Sequence, residues 1–174
     1  MQFNQIPSAL FNCLEQRFEK DPRAHVRLLA LSAIFYHAFH HKLPQLAQWQ
    51  ARVINQLRRR TPQATKMALA AFWGYYRHIE EDTECSEIYA HRMGWNQAAL
   101  RHYRLMMLRQ AIQNKNCRKA YIDCLQRCLT ILAAIGERQG EVQKRYDNCI
   151  ALLARIYQFQ ENWPKALRLV ESAC

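Results

Sequence analysis

An all-α fold is what this 174-residue sequence predicts, on three observations. Half of its residues are hydrophobic, too many for a disordered chain. Only four glycines and five prolines stand among abundant Ala, Leu, Gln and Arg, a composition that favours helices over strands. The apolar residues return every three or four positions, and no stretch alternates with the period of two that a strand requires. The length suits a single domain, 1–174, with a real core or a short repeat array.

About nine helices are expected. A lead helix, Ser8 to Lys20, occupies residues 1–22. Asp21-Pro22 opens the second, with Val26, Leu29, Ala33, Tyr36 and Phe39 on its apolar face. Leu43-Pro44 opens the third through Leu46, Trp49, Val53, Ile54 and Leu57. Thr61-Pro62 opens the fourth through Met67, Ala70, Ala71, Gly74 and Tyr75. The acidic run "EEDTECSE" at 80–87 reads as a break into a fifth helix around Ile88, which Gly94 ends. Asn96 starts the sixth, Asn116 the seventh, which ends at Gly136, and a Gly-bearing turn leads to the eighth. In the closing "ENWPKALRLVESAC", Asn162 has N-cap chemistry and Pro164 sits where its missing N–H costs nothing. The ninth helix follows, with an apolar stripe of Leu167, Leu169, Val170 and Ala173 that no later element covers. That stripe predicts association at the C-terminal helix, as a homodimer or with a partner.

A formal net charge of +11 biases partners toward nucleic acid, anionic membrane or acidic protein. The N-terminus lacks the basic, apolar and small-residue regions of a signal peptide, and the apolar runs 28–39 and 67–76 are too short to span a bilayer. Seven cysteines, an odd number in no compact framework, read as reduced thiols. A cytoplasmic protein without membrane association is expected.

Four turn-plus-helix passages look alike: "KLPQLAQWQARV", "EDTECSEIYAHRM", "KNCRKAYIDCLQR" and "NWPKALRLVESAC". Each sets a small residue shortly after the turn, at Ala47, Ser86, Ala120 and Ala166, at intervals of 39, 34 and 46 residues. Ala51, Ala90 and Cys124 follow four positions later in three of them. Small residues so spaced let antiparallel helices approach closely, and such periods mark helical-hairpin arrays. The pattern resembles the tetratricopeptide repeat, most clearly at Leu153, Ala154, Tyr157, Trp163, Ala166 and Ala173. The resemblance covers about residues 24–174 and implies an α-solenoid, with about four hairpins in 23–174. Phe35 and Arg77 depart from the pattern. A rival register, with "IYAHRMGWNQAAL" matching "IYQFQENWPKAL" at an interval of 68 residues, pairs other helices around Ala98.

No catalytic residue, metal site or cofactor is expected. Cys124 and Cys128 lie one turn apart, with Cys117 and Cys149 further off, and read as small apolar seam residues rather than zinc ligands. The three histidines of "HAFHHK" suit a helix C-terminus. No phosphate loop, nucleophile elbow or paired carboxylates occur. The stretch 52–66 gathers Arg52, Arg58, Arg59, Arg60 and Lys66, either a solvated helix end or a set of phosphate contacts.

In a tetratricopeptide-like array the first helix of each hairpin lines the concave face. The resemblance then implies groove positions at Tyr36, Tyr75, Arg109 and Arg155, and beside them Phe39, His78, Ile112 and Gln158, with His102 and Asn148 on the same strip. The clamp by which some members hold a terminal carboxylate is missing, because Ser32, Ala71, Leu105 and Ala151 stand at its positions. The expected function is a non-catalytic protein-binding module, an adaptor, chaperone-like or immunity protein. Its partner would be an acidic protein or peptide, paired by Arg109 and Arg155 and stacked on Tyr36 and Tyr75. The alternative is a nucleic-acid-associated regulator using the basic turn with Arg101, Arg104 and Arg109.

Overall fold

A computed structural model describes residues 6–94 and 96–172, and gives the backbone alone for 6, 7, 80–92, 100, 101, 103–105 and 107. Among the described residues it is all-α, without a strand. The helices are α1 (Ile6–Lys20), α2 (Ala24–His40), α3 (Gln45–Arg58), α4 (Ala64–Arg92), α5 (Gln97–Gln113), α6 (Lys115–Ala133), α7 (Gly140–Phe159) and α8 (Trp163–Glu171). None of these, among the described residues, is long and apolar enough to cross a membrane.

The expected fourth and fifth helices are one. α4 runs unbroken for 29 residues through 80–87, about 43 Å at 1.5 Å per residue. The acidic run holds neither Gly nor Pro, and charge alone does not stop a helix. The next glycine, Gly94, does end it, with a left-handed φ of 66°. Gly-free stops occur too. Lys42 and Glu161 take positive φ, and the following N–H groups of Leu43 and Asn162 reach back to the Ala38 and Tyr157 carbonyls at 2.8 and 2.9 Å. α6 starts one residue before the expected Asn116, because the Asn114 side chain accepts from the Asn116 and Cys117 N–H groups at 2.9 and 3.3 Å.

Two compact units make up the chain: Met1–Tyr75 with Arg127–Cys149, and Tyr76–Gln126 with Ile150–Cys174. In the first, α1 packs on α2 and α2 on α3. The α1–α2 turn is held by Asp21, a buried carboxylate that accepts from the Arg23 N–H at 3.0 Å, the Arg23 guanidinium at 3.1 Å and Arg17 at 3.1 Å. Those bonds, Arg23 foremost, hold its pKa well below the usual carboxylate range. α2 buries Ala30, Leu31, Ile34, Phe35 and Ala38 rather than the expected face, and Leu29 is 68% exposed. A helix apolar nearly all round leaves its buried face undefined by periodicity. Opposite it α4 buries Ala68, Ala71, Phe72 and Tyr75, and α3 buries Leu46, Trp49, Val53 and Leu57.

In the second unit the core comprises Ile79, Ile112, Tyr121, Cys124, Leu125, Ile150, Leu153, Ala154, Ile156, Tyr157 and Ala166. α8 starts as the sequence reads, with the Asn162 side chain accepting from the Lys165 N–H at 3.4 Å and Pro164 in its first turn. It buries Ala166 and turns Trp163, Leu167 and Val170 outward, 57, 59 and 48% exposed, at the i, i+4, i+7 spacing of one face. Leu169 is half-buried and Ala173 lies outside the described residues.

Candidate functional site

α5 begins cleanly because the Asn96 side chain accepts from the Ala99 N–H at 2.8 Å. From that start His102, Met106, Arg109 and Ile112 follow at spacings of four and three, which sets them on one side of the helix. On α7, Arg155, Gln158 and Phe159 are similarly grouped. Together with Leu108 these residues line one cavity of about 570 Å³ in the second unit. Ile112 is buried at its base, whereas Met106 and Phe159 are 42 and 46% exposed.

The chemistry of this cavity is of one sign. Two guanidinium groups and an imidazole line it, and no carboxylate does among the described residues. Neither Arg109 nor Arg155 forms an ion pair among the described residues, and both are exposed. Each offers a planar fork that matches a carboxylate edge, beside thioether, aliphatic and aromatic surface. Of the residues expected at a groove, His102, Arg109, Ile112, Arg155 and Gln158 are thus brought together. Met106, Leu108 and Phe159 complete the cavity unannounced. Their only signal was Met106 four positions after His102 and Phe159 four after Arg155.

Other expected positions lie elsewhere. Tyr75 is a correction. It is wholly buried in the first unit, its ring against Phe35 and Phe39 at centroid distances of 5.1 and 5.5 Å, and its hydroxyl donates to Gln50 at 2.8 Å. A ring with no exposed surface cannot stack on a partner. Arg127 meets the same Gln50 oxygen at 3.2 Å and covers the Phe39 ring, a polar node under the aromatic cluster that the sequence does not announce. Tyr36 is half-buried in the first unit, stacked on His40 at 5.8 Å and edge-on to His37 at 5.2 Å. Burial pushes the His37 imidazole below its ordinary pKa, with His41 and then His40 adding repulsion. His78 is half-buried and Asn148 exposed.

The basic turn is dispersed. Arg52 pairs with Glu19 at 3.0 Å and lies over the Trp49 and Phe18 rings at 4.7 and 5.6 Å, so its charge is already engaged. Arg58 and Arg59 are exposed, Arg60 lies against Gly136, and Lys66 borders a second cavity. The side chains of Arg101 and Arg104 lie outside the described ones. So do those of Ser86 and Ala90, two of the small residues expected at helix seams. Among the rest, Ala166 is buried, but Ala47, Ala51, Ala98 and Ala120 are exposed, which corrects the seam assigned to Ala120. Cys124, Cys128 and Cys149 are buried, and no group of three or more metal-ligating side chains gathers among the described residues. No family model, curated protein or solved structure matches this chain.

Proposed function

We propose that the chain is a non-catalytic binding module that holds an acidic, amphipathic segment of a partner protein in the cavity between α5 and α7. The observation that carries this reading is the meeting of His102, Arg109 and Arg155 with Met106, Ile112 and Phe159 in one cavity that no carboxylate lines among the described residues. Carboxylates of the segment pair with the two guanidinium forks, and its apolar side chains cover the exposed thioether and ring. The irregular hairpin array suggested by the repeat pattern belongs to the same reading, at the C-terminal hairpin where the match is strongest. An adaptor, a chaperone-like holder or an immunity protein would each use such a site.

Titration of a synthetic helical peptide with a Glu face and a Leu face tests it. Binding should weaken about tenfold or more on reversing Arg109 and Arg155 together, the size of one or two charge-assisted contacts. A Lys-for-Glu version of the peptide should not bind. Equal binding of both peptides would end the proposal.

The outer face of α8 carries the second part of this reading, self-association of two copies through Trp163, Leu167 and Val170. Sedimentation of the wild type should show a dimer that Leu167→Glu removes. A monomer at every concentration would withdraw that part alone.

The nucleic-acid reading keeps one favourable observation, the exposure of Arg58, Arg59 and Lys66. It requires retention of DNA or RNA that falls steeply with salt.

A further inference from the structure

Tyr36, His37, His40 and His41 crowd the C-terminal turn of α2, and none of them belongs to the cavity between α5 and α7. The His37 and His41 rings lie nearly parallel, with 3° between their planes and 6.0 Å between their centroids. Tyr36 stands edge-on to His37 at 5.2 Å, and His40 edge-on to His41 at 4.9 Å. His40 in turn lays its face against the Tyr36 ring, 5.8 Å away, and so walls the pair rather than joining it.

We infer that His37 and His41 form a two-imidazole site for a divalent transition-metal ion of the nickel, copper and zinc class. Spacing is the first argument. Residues four apart stand one above the other on a helix, and the His41 N–H donates to the His37 carbonyl at 3.0 Å, so the turn holds as far as His41. Reach is the second. With a metal–nitrogen length near 2.1 Å, two imidazoles on one ion stand at most roughly 6.4 Å apart between centroids. The observed 6.0 Å falls within that span. A turn about χ2, a soft torsion in histidine, aims one lone pair of each ring at the space between.

Availability is the third argument. Neither the His37 nor the His41 ring forms a hydrogen bond or ion pair among the described residues, so nothing there competes for the lone pair of the neutral imidazole. The flanking Tyr36 and His40 rings restrict both imidazoles before a metal arrives, which lowers the cost of ordering them. His41 is exposed and His37 half-buried, so an ion can enter from solvent and keep water in its remaining positions. The negative end of the 17-residue helix also favours a cation there. Imidazole donors suit nickel, copper and zinc, and the stretch "HAFHHK" offers no carboxylate to favour magnesium or calcium.

The site shares no residue with the cavity between α5 and α7, so the two readings stand or fall separately. Calorimetric titration of the untagged full chain with Ni(II), after alkylation of its exposed thiols Cys13 and Cys117, provides the test. One Ni(II) should bind per chain, and Mg(II) should not. His37→Ala and His41→Ala should each weaken Ni(II) about tenfold or more, because chelation by two rings becomes attachment by one. His40→Ala should leave the affinity within about twofold. Affinity that survives either His37→Ala or His41→Ala overturns the inference. So does an equal loss in all three variants, which would make the effect one of histidine number alone. Failure of Ni(II) to bind the wild type at millimolar concentration overturns it too, as does Mg(II) binding as tightly as Ni(II). The comparison of the two metals on the wild type, with His41→Ala at its exposed site, decides the matter even if His37→Ala fails to fold.

Discussion

A β-carbon on Gly74 would stand 2.5 Å from the Ser32 carbonyl oxygen and 2.6 Å from the Phe35 β-carbon, closer than atoms can pack. In the sequence Gly74 reads only as a small residue inside a helix, where Ala ordinarily gains up to about 1 kcal/mol. The contact with α2 reverses the sign. Gly74→Ala should therefore destabilise by about 1–3 kcal/mol in urea unfolding, and a stabilised variant would contradict the close approach of α2 and α4. Asp21 is the other residue whose effect exceeds its appearance. Its folded pKa lies below the ordinary value of 3.8, so its stabilisation is present above that pH and is lost as pH falls below it. Asp21→Asn should lose stability at neutral pH. The gap between variant and wild type should close as the medium is acidified below 3.8. A gap that stays constant would place the Asp21 contribution outside its charge.

At the scale of elements, starts were more legible than stops. The Asn96 and Asn162 caps are local chemistry, and the sequence displays local chemistry openly. The stops at Lys42 and Glu161 are less open, because they place ordinary residues at a positive φ that usually calls for Gly or Asn. The break at 80–87 was misread for the opposite reason, polarity without a Gly or Pro to enforce it. Thr83→Pro tests that correction directly. In a continuous helix it should cost about 3 kcal/mol or more, whereas in a turn it would be tolerated. The small-residue seam divides in the same way. Ala166→Phe should cost about 1–3 kcal/mol, while Ala120→Phe on its exposed site should stay within about 0.5 kcal/mol. Half of the α5–α7 cavity was legible, because the repeat resemblance assigns His102, Arg109, Ile112, Arg155 and Gln158 to one groove. Which helix supplies the opposite wall is a tertiary fact, and Tyr75 shows the cost of inferring it from a repeat register.

For the whole molecule, a net charge of +11 is the property most exposed to misreading. Spread as Arg58, Arg59 and Lys66, it adds solubility and a diffuse attraction for anions, which salt screens. Concentrated as Arg109 and Arg155 beside apolar surface, it can select a partner. Affinity capture from native lysate separates these cases most directly, using the wild type and the Arg109→Glu/Arg155→Glu variant with nuclease treatment in parallel. A protein partner should be retained by the wild type after nuclease and lost by the variant, with circular dichroism and melting midpoint nearly unchanged, since exposed charges contribute little to stability. Capture that survives the double reversal, or that disappears with nuclease alone, would contradict it.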